Sequence, residues 1–434
     1  MAKSIMASGS IAGTLGVVNT PTCWSMMGYL DKNTNMTQKE MPIQRAGTLS
    51  HLSVKIISSS MSGSGNTTMT VKINGVDSSL SVATATTGQT GTLEDLTHSV
   101  SIAAGDKICL EHVPASTISN SHRLGYVQAV FEPTDSSSKT VSFFGMAHAN
   151  VRGISSASTT WYWCPTGYMD TPSTTEANGQ IEMRVSGTFK NLTVNVVGNT
   201  RTTNTVFKVR KNGADTSIVV TFTSSDNNKA MSDTSNSASV VAGDLICISW
   251  TSGTGSGSCD VASITLEFEN TDSPGVHMHV GNNLINAAST RNTTFYAAFC
   301  GYFDLLTTET DTKMKILEGG FTARNLGVNI RTNTITSGST TFTLRVNGVD
   351  SALVVPITNN LTGFFEDLTH SVSIAQGDDV SYKFVTGVGS GTQTVTLRDY
   401  SIYLDATNPS GGAITATVTG KEVVQQRPRK LLAL

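Results

Sequence analysis

Alternation of apolar and polar residues is the dominant pattern along this chain. A typical run places apolar side chains at Leu52, Val54 and Ile56, and two similar runs are centred on Val194 and Val328. A period of two indicates a half-buried β-strand, whereas a helix places apolar residues three or four positions apart. Turn-forming residues recur at short intervals between these runs. The pattern therefore predicts antiparallel β-sandwiches with about eight to ten strands each.

The same plan is written three times. The sequence EDLTHSVSIA at 94–103 returns unchanged at 366–375, and a degraded copy lies at 233–243. Each copy also keeps, in the same order, a Gly-Tyr pair, an Asn-Gly turn and a Gly-Asp turn. These signals begin at Gly28, Gly167 and Gly301, at Asn74, Asn212 and Asn347, and at Gly105, Gly243 and Gly377. A repeat of domain size predicts three tandem domains, at 1–135, 136–273 and 274–408, followed by a C-terminal extension at 409–434.

Composition supports an all-β class and limits the partners. Of the 434 residues, 38% are hydrophobic and 14% charged, and the net charge is −3. This balance gives no electrostatic reason to expect a nucleic acid. No apolar run reaches the roughly 18 residues that a membrane-spanning helix needs, so no membrane partner is expected. The segment 4–18 is interpreted as a first strand rather than a signal peptide, because the other copies have a strand at that place.

The six cysteines are predicted to be free and buried. Cys109 and Cys247 are aligned with each other, and Tyr382 is aligned with them in copy three. A required disulfide or metal ligand would not tolerate tyrosine, so we expect thiols that pack as small hydrophobic side chains. Free thiols are compatible with assembly in a reducing host cytoplasm.

Two histidines and three aspartates recur at equivalent positions, and we interpret them as structural. His98 and His370 follow Asp-Leu-Thr in a turn, where Asp and Thr can bond to nearby backbone amides. The only acidic residues that all three copies place at a turn are interpreted as Asp106, Asp244 and Asp378. A paired catalytic site needs a second carboxylate, and the sequence names none beside them. No catalytic residue is therefore predicted, and the chain is not expected to be an enzyme.

Two local patterns have the composition of binding sites. His277 and His279 would share one face of a strand, a spacing that can bind a metal, and His148 lies at a comparable place in copy two. No carboxylate or cysteine is fixed nearby, so a polar strand face is preferred. The Gly-rich segments 252–258 and 387–392 lack the Lys-Ser/Thr and helix of a phosphate loop, and we predict hairpin tips. No metal or cofactor is expected.

Aromatic residues cluster near the Gly-Tyr pair of each copy. They are Trp24 in copy one, Trp161, Tyr162 and Trp163 in copy two, and Phe295, Tyr296 and Phe299 in copy three. At strand spacing such residues most often pack in a core or between copies. Contact of Trp24, Trp161, Tyr162 and Trp163 with a host glycan is the alternative, since exposed aromatic rings can stack on sugars.

The order of signals resembles the jelly roll of the tumour-necrosis-factor and complement globular-head superfamily. The matching parts in copy one are TVKING at 70–75, SIAAGDKI at 101–108 and the closing strand that ends at Glu132. The resemblance covers each copy once and implies three jelly-roll-like domains, a fold that commonly trimerises. The chain is also similar in style to structural proteins of tailed bacteriophages, which often carry Ser/Thr/Gly-rich sandwich repeats.

The repeat stops after Pro409. Ser410-Gly411-Gly412 has the composition of a flexible joint, and the last residues are basic and apolar. A frayed end is the default interpretation of such a terminus. We prefer an assembly arm that docks on a neighbouring subunit through Arg427, Arg429, Lys430, Leu431, Leu432 and Leu434.

Three functions remain open at this point. The preferred one is a structural protein of a bacteriophage particle that decorates the capsid, binds the major capsid protein and forms an oligomer or an intramolecular pseudo-threefold unit. The second is a receptor-binding tail fibre or spike that recognises host glycans. The third is an enzyme such as a glycan hydrolase, which would need two convergent carboxylates in one copy.

Overall fold

The computed structural model describes residues 3–9, 20–30, 32–62, 65–86, 88–114, 122–135, 141–169, 172–271, 275–281, 287–301, 305–317, 319–389 and 391–406. Within them the chain is built almost entirely of β-strands, and its longer elements are antiparallel sheets. The only helices in this part are three single 3-10 turns, η1 (Met36–Gln38), η2 (Glu176–Asn178) and η3 (Glu309–Asp311). The all-β fold class predicted from the alternating pattern is confirmed.

The strands of the three copies follow the same order. Copy one has β1 (Ser4–Gly9), β2 (Thr22–Trp24), β3 (Gly28–Tyr29), β4 (Lys32–Asn33), β5 (Met41–Pro42), β6 (Gly47–Ser59), β7 (Thr68–Ile73), β8 (Val76–Ala83), β9 (Gly91–Ile102), β10 (Lys107–Val113) and β11 (His122–Pro133). Copy two has β12 (Val141–Ile154), β13 (Thr160–Trp163), β14 (Gly167–Tyr168), β15 (Ile181–Glu182), β16 (Gly187–Asn199), β17 (Thr205–Lys211), β18 (Ala214–Phe222), β19 (Lys229–Val240), β20 (Leu245–Ser252) and β21 (Cys259–Asn270). Copy three has β22 (Gly275–Gly281), β23 (Ala287–Thr290), β24 (Thr294–Ala297), β25 (Met314–Lys315), β26 (Phe321–Asn333), β27 (Thr340–Val346), β28 (Val349–Ile357), β29 (Gly363–Ile374), β30 (Asp379–Val385) and β31 (Thr394–Ala406).

Each copy folds into two sheets that face each other. In copy one the strand orders are β3-β1-β11-β6-β9 and β4-β2-β10-β7-β8, and the other copies repeat both orders with small variations. The strands β8, β9, β10 and β11 alternate between the sheets, whereas β7 and β8 form a hairpin within one sheet. This crossing of the sandwich is the connectivity of a jelly roll. The described pairings all join strands of the same copy.

The core of each copy lies between its two sheets. The alternating residues Leu52, Val54 and Ile56 are at most 1% exposed, as are their counterparts in β16 and β26. In copy two, Trp250 stacks on Trp163 and on Phe207, so the aromatic residues supply much of the packing. One face of each of these strands enters the core, so apolar residues recur at every second position. This is why the period-two pattern predicted the strands correctly.

The cysteines and the Gly-rich segments are placed by the structure as follows from their strands. The six cysteines are free and buried, as predicted. The residue aligned with Cys109 and Cys247 is Ser381 rather than Tyr382, because all three lie opposite the second residue before the Asn-Gly turn. The Gly-rich segments are not hairpin tips, since β20 and β21 belong to different sheets, as do β30 and β31.

Candidate functional site

The three copies contact one another in a head-to-tail ring. The η1–β5 segment of copy one lies on β16 and β21 of copy two. The equivalent segment of copy two lies on β26 and β31 of copy three, and that of copy three lies on β6 and β11 of copy one. A heterologous contact repeated three times closes on itself, which is the defining property of a ring.

The contact between copies one and two depends on backbone carbonyls of copy one. Asn195 Nδ2 and Ser263 Oγ donate to the carbonyl oxygen of Glu40, at 3.2 and 2.9 Å. Thr265 Oγ1 donates to the carbonyl oxygen of Pro42 at 2.8 Å. Lys39, which is fully buried, donates to the carbonyl oxygen of His148 at 2.8 Å. Buried carbonyls would be left unsatisfied without these donors, so the contact is specific.

Copy three uses equivalent carbonyls against copy one. Lys55 Nζ donates to the carbonyl oxygens of Thr310 and Lys313, the latter at 3.1 Å. Gln128 Nε2 donates to the carbonyl oxygen of Lys315 at 2.5 Å. Lys313 and Lys315 stand where copy one has Glu40 and Pro42, immediately before and at the end of the short strand. The two junctions therefore share one geometry with different donor side chains.

The junction between copies two and three adds buried charge to the same plan. Arg398 donates to the carbonyl oxygen of Gln180 at 2.7 Å, and Gln180 is the counterpart of Glu40 and Lys313. Arg184 Nη1 donates to Glu366 at 2.5 Å, and its carbonyl oxygen accepts from Asn325 Nδ2 at 3.2 Å. The Arg184 side chain is 2% exposed, whereas its partner Glu366 is 36% exposed, so the buried member of this ion pair is the arginine.

A second buried ion cluster joins copies one and two. Arg45 contacts Asp135 of its own linker at 2.5 Å and Glu269 of copy two at 2.7 Å, with Glu267 at 3.6 Å. Burial alone would lower the pKa of Arg45, but the hydrogen bonds to Glu269 and Asp135 outweigh it and raise that pKa. The guanidinium therefore stays charged, and removing one partner would leave an uncompensated buried charge.

Glycines bring the three copies together at the centre of the ring. Gly28 has a φ of +74° and Gly301 a φ of +79°, a backbone conformation that favours glycine. A Cβ on Gly28 would clash with the carbonyl oxygen of Gly145, and one on Gly301 would clash with the backbone of Gly9. The repeated Gly-Tyr pair therefore marks a close approach of backbones. Around it the rings of Tyr29 and Tyr168 lie 4.2 Å apart, with His148 stacked on Tyr168.

The structure places the four candidate glycan-contact residues in different environments. Trp24 and Trp163 are 1% and 0% exposed and lie in the cores of copies one and two, so neither ring is accessible to a sugar in this conformation. Trp161 is half-buried and packs on the copy-two core. Tyr162 is also half-buried and lies on the opposite face of β13. The environments differ because successive residues of a strand point to opposite faces of the sheet, so neighbouring aromatic rings cannot lie on the same side.

Tyr162 belongs to a surface cluster that occurs twice. The Arg210 guanidinium lies 5.6 Å from the Tyr162 ring centre, within the range of a cation–π contact. Arg210 also donates to Glu176 at 2.8 Å and to Asp215. Copy three repeats this arrangement with Tyr296, Arg345, Glu309 and Asp350. The copy-one strand has Cys23 at the corresponding position, opposite Glu111.

The aspartates and histidines singled out in the sequence are structural. Asp106 accepts from Asn74 Nδ2 at 2.7 Å and from the backbone N–H of Ala103 at 2.7 Å. Asp244 and Asp378 make the same two bonds in their copies. His98 and His370 are exposed and contact the aspartate three residues before them. The predicted turn-stabilising role is confirmed.

Sequence reasoning missed the aspartates that precede these histidines. Asp95, Asp233 and Asp367 are buried and occupy the same position in all three copies, so Asp106 and its counterparts are not the only repeated acidic residues. They hold a three-residue bulge in β9, β19 and β29, opposite a single residue with positive φ, His51, Asn191 or Asn325. The threefold recurrence of this aspartate was the signal that could have revealed it.

Several predicted site residues lie outside the described residues. They include the whole arm, Arg427, Arg429, Lys430, Leu431, Leu432 and Leu434, and the side chains of His277 and His279. Within the described part of the chain, no group of three or more His, Cys, Asp or Glu is arranged to hold a metal ion. The same part contains no helix with the length and apolar character needed to cross a membrane.

Comparisons with known proteins add little. No protein-family model matches the chain, and no curated protein matches it. One solved structure with some similarity is that of the Sulfolobus turreted icosahedral virus, with 12% identity over 85% of this chain and 82% of that chain. Its TM-score is 0.15, which is too low to carry an argument. The case for function therefore depends on the chain's own geometry.

Proposed function

We propose that this protein is a non-enzymatic structural component of a virus particle, and more closely a decoration protein on a bacteriophage capsid. The observation that carries the proposal is the closed ring of three sandwiches. The repeated polar side chains form hydrogen bonds between copies or stabilise turns within a copy, and both are structural roles. The expected partner is the major capsid protein, and the expected location is the virion, assembled in the host cytoplasm.

The geometry of the ring supports a role on an icosahedral shell. Three similar domains around one centre match a local threefold position or the middle of a capsomer. The order of strands in both sheets also supports the resemblance to the tumour-necrosis-factor and complement-head superfamily, whose fold commonly trimerises. Here three copies in one chain would form such a unit without separate subunits.

The first test of the proposal is the copy number of this chain in purified particles. Quantitative mass spectrometry against the major shell protein should give hundreds of copies per particle for a decoration protein. A handful would move the chain to a tail or vertex, and none would end the virion proposal.

We propose that the segment 409–434 is the anchor to the shell. Deleting 410–434 should abolish association with particles while leaving the three sandwiches folded, because the last strand of copy three, β31, ends at Ala406. A matched variant with Arg427, Arg429 and Lys430 changed to Ala keeps the apolar residues of the arm. Its association with particles would show whether the basic side chains or the apolar ones are needed for binding. Unaltered association of the deleted chain with particles would rule out the arm.

Receptor binding through host glycans is the second candidate, and the twofold occurrence of the Tyr–Arg–carboxylate cluster favours it. An aromatic face beside charged hydrogen-bonding groups is a chemistry that recognises sugars. Tyr162→Ala with Tyr296→Ala should then remove binding on a glycan array, whereas His98→Asn, at an exposed site elsewhere, should not. Silence of the parent chain on the array would remove this candidate.

A further inference from the structure

Copy one contains two buried histidines where the other copies are apolar. His112 on β10 and His122 on β11 are 1% and 3% exposed, and their ring centres lie 5.7 Å apart in an edge-on arrangement. By strand register, His112 corresponds to Trp250 and Phe384, since all three lie opposite the fifth residue before an Asn-Gly turn. His122 corresponds in the same way to Cys259 and Val395.

The imidazole pair has no hydrogen-bond partner among the described residues. All four ring nitrogens are buried and unpaired in this part of the structure. A buried polar group without a partner is unfavourable, and sister copies show that apolar residues fill the same place. No third His, Cys, Asp or Glu joins the two imidazoles among the described residues. The folded core therefore holds both rings at a cost in free energy, and the cost would be larger if either ring carried a charge.

No carboxylate faces the pair among the described residues; the Trp24 ring lies 6.2 Å from the His112 ring, and the backbone of His112 alone favours the charged imidazole. Lys32 on β4 and the other imidazole both act against protonation of His112. The residues opposite the pair on β2, β7 and β6 are Thr22, Met69 and Ser59, which do not titrate. Next to His112 on its own strand, Glu111 pairs with Lys72 at 3.1 Å. Next to His122, Arg123 carries a further positive charge.

The direction of the pH effect follows from this burial. Loss of hydration lowers the pKa of His112 to about 3 and that of His122 to about 4. In an opened chain both return to their ordinary value of about 6.5. As the pH falls below that value, the opened form binds protons that the folded form refuses, so the folded form of copy one loses stability.

The strand that carries His122 also holds the ring together. Four residues further along β11, Tyr126 packs into the core of copy three and its hydroxyl accepts from the backbone N–H of Lys315. Gln128 on the same strand donates to the carbonyl oxygen of Lys315. Copies one and three are not consecutive in the chain, so no linker holds this junction closed when β11 loosens.

We propose that the His112–His122 pair is an acid-sensitive release that opens the ring at the junction of copies three and one. In mildly acidic solution, proton uptake by the pair in the opened form raises the population in which β10 and β11 have left their neighbours and the copy-three surface they cover is exposed. The inference depends on the ring geometry and stands whether or not the chain is a virion component.

Hydrogen exchange followed by mass spectrometry on the intact chain tests this proposal at pH 7 and pH 5, with rates corrected for intrinsic exchange. The parent should lose protection at 107–113, 122–133 and 309–316 on acidification, while β20 and β21 keep theirs.

The melting temperature of the parent should fall by on the order of 10 °C between pH 7 and pH 4.5. The variant with His112→Phe and His122→Val, which are the residues of copy three, should lose less than half as much. An equal loss in parent and variant would overturn the proposal.

Two additions keep the test decisive if that variant folds poorly. His98→Asn, the residue that copy two has at its exposed site, should keep the full parental response to acid. In the parent, ring carbon–proton NMR signals of His112 and His122 should stay constant from pH 7.5 to pH 5 while the exposed histidines titrate. Titration of either buried ring near pH 6.5 in the folded chain would refute the release.

Discussion

Single buried aspartates fasten the two sheets of each copy to one another. Asp95 in β9 accepts from the backbone N–H of Ser81 in β8, at 3.1 Å, and from those of Thr97 and His98, at 3.2 Å. Burial acts to raise the pKa of Asp95, but these hydrogen bonds outweigh it and hold that pKa below its usual value. A charged acceptor with several backbone donors is among the stronger hydrogen-bonding arrangements in proteins.

Replacing Asp95 should be costly because three backbone N–H groups donate to its carboxylate. We expect Asp95→Ala to lower the free energy of unfolding by about 2–4 kcal/mol, as measured by urea denaturation. Asp77→Ala is the matched control, since this carboxylate is mostly exposed and pairs only with Lys72 at 3.0 Å. It should change stability by less than about 0.5 kcal/mol. Equal effects of the two substitutions would contradict the fastening role.

At Asp399 the effect of burial on the pKa outweighs that of the hydrogen bonds, which is the reverse of Asp95. It is 2% exposed on β31, accepts from Asn329 Nδ2 at 2.8 Å and lies 3.8 Å from Arg398. Burial nevertheless raises its pKa to about 6. The folded chain therefore binds this proton more tightly than the unfolded chain, and the contribution of Asp399 to stability declines as the pH rises from about 4 to about 6.

Asp399→Asn should consequently stabilise the chain at pH 7.5. We expect an increase of about 1–3 kcal/mol in the free energy of unfolding, and a smaller pH dependence between pH 4 and pH 6. Asp405→Asn on the same strand is the control, because Asp405 is partly exposed and paired with Arg324. That substitution should lower stability slightly. A destabilised Asp399→Asn chain at pH 7.5 would show that the carboxylate is favourable as a charge.

At the scale of strands, a glycine that begins a long strand leaves room for a phenylalanine ring of the partner strand in copies one and two. Gly47 begins β6 with the Phe131 ring of β11 packed against it, and Gly187 begins β16 with Phe268 of β21 in the same place. Copy three reverses the sizes, with Phe321 at the start of β26 and Leu404 on β31. The phenylalanine at this end of the core thus comes from β26 in copy three and from the partner strand in the other two copies.

Adding one methyl group at the glycine should therefore be destabilising. A Cβ at position 187 would clash with the Phe268 ring at 2.3 Å and with the carbonyl oxygen of Glu269 at 2.4 Å. We expect Gly187→Ala to lower the free energy of unfolding by about 1–3 kcal/mol. Thr188→Ala, one residue further on the outer face, should cost less than about 1 kcal/mol. A calorimetric melting curve unchanged in Gly187→Ala would contradict the packing described.

The strands and the turns that join them could be predicted from the sequence far better than the contacts between copies. Alternation identifies β6, β16 and β26, because burial on one face forces a period of two. The bonds of Asp106 follow from local turn chemistry. The junctions have no such pattern, since Asn195, Lys55 and Arg398 are unlike one another and donate to backbone carbonyls. Only the repeated Gly-Tyr pair hinted at a shared centre, and its reason, close backbone approach, appears only in three dimensions.

At the scale of the whole molecule, the ring is held by a few desolvated polar contacts. Lys55 is an example at the junction of copies three and one, where burial lowers the pKa of its ammonium group. The amine of this lysine donates to two carbonyl oxygens of copy three, those of Thr310 and Lys313. Losing the amine removes the shared donor of both acceptors.

Lys55→Met should loosen this junction while the three sandwiches stay folded. Methionine keeps much of the apolar stem, so the change is restricted to the donor. We expect about tenfold faster hydrogen exchange at 309–316, equivalent to the loss of one hydrogen bond. Lys72→Met is the control, because Lys72 pairs with Asp77 and Glu111 within copy one. Equally fast exchange in both variants would contradict a specific role for Lys55.

Placing three copies in one polypeptide also changes what a single codon change can do. In a trimer of identical chains, every mutation enters all three junctions at once, and a buried charge must find its partner in each. Here Arg45 stands at one junction and its counterpart is Val185, while the counterpart of Arg184 is Gln44. Each junction can therefore diverge alone, because a substitution at one of them leaves the other two unchanged.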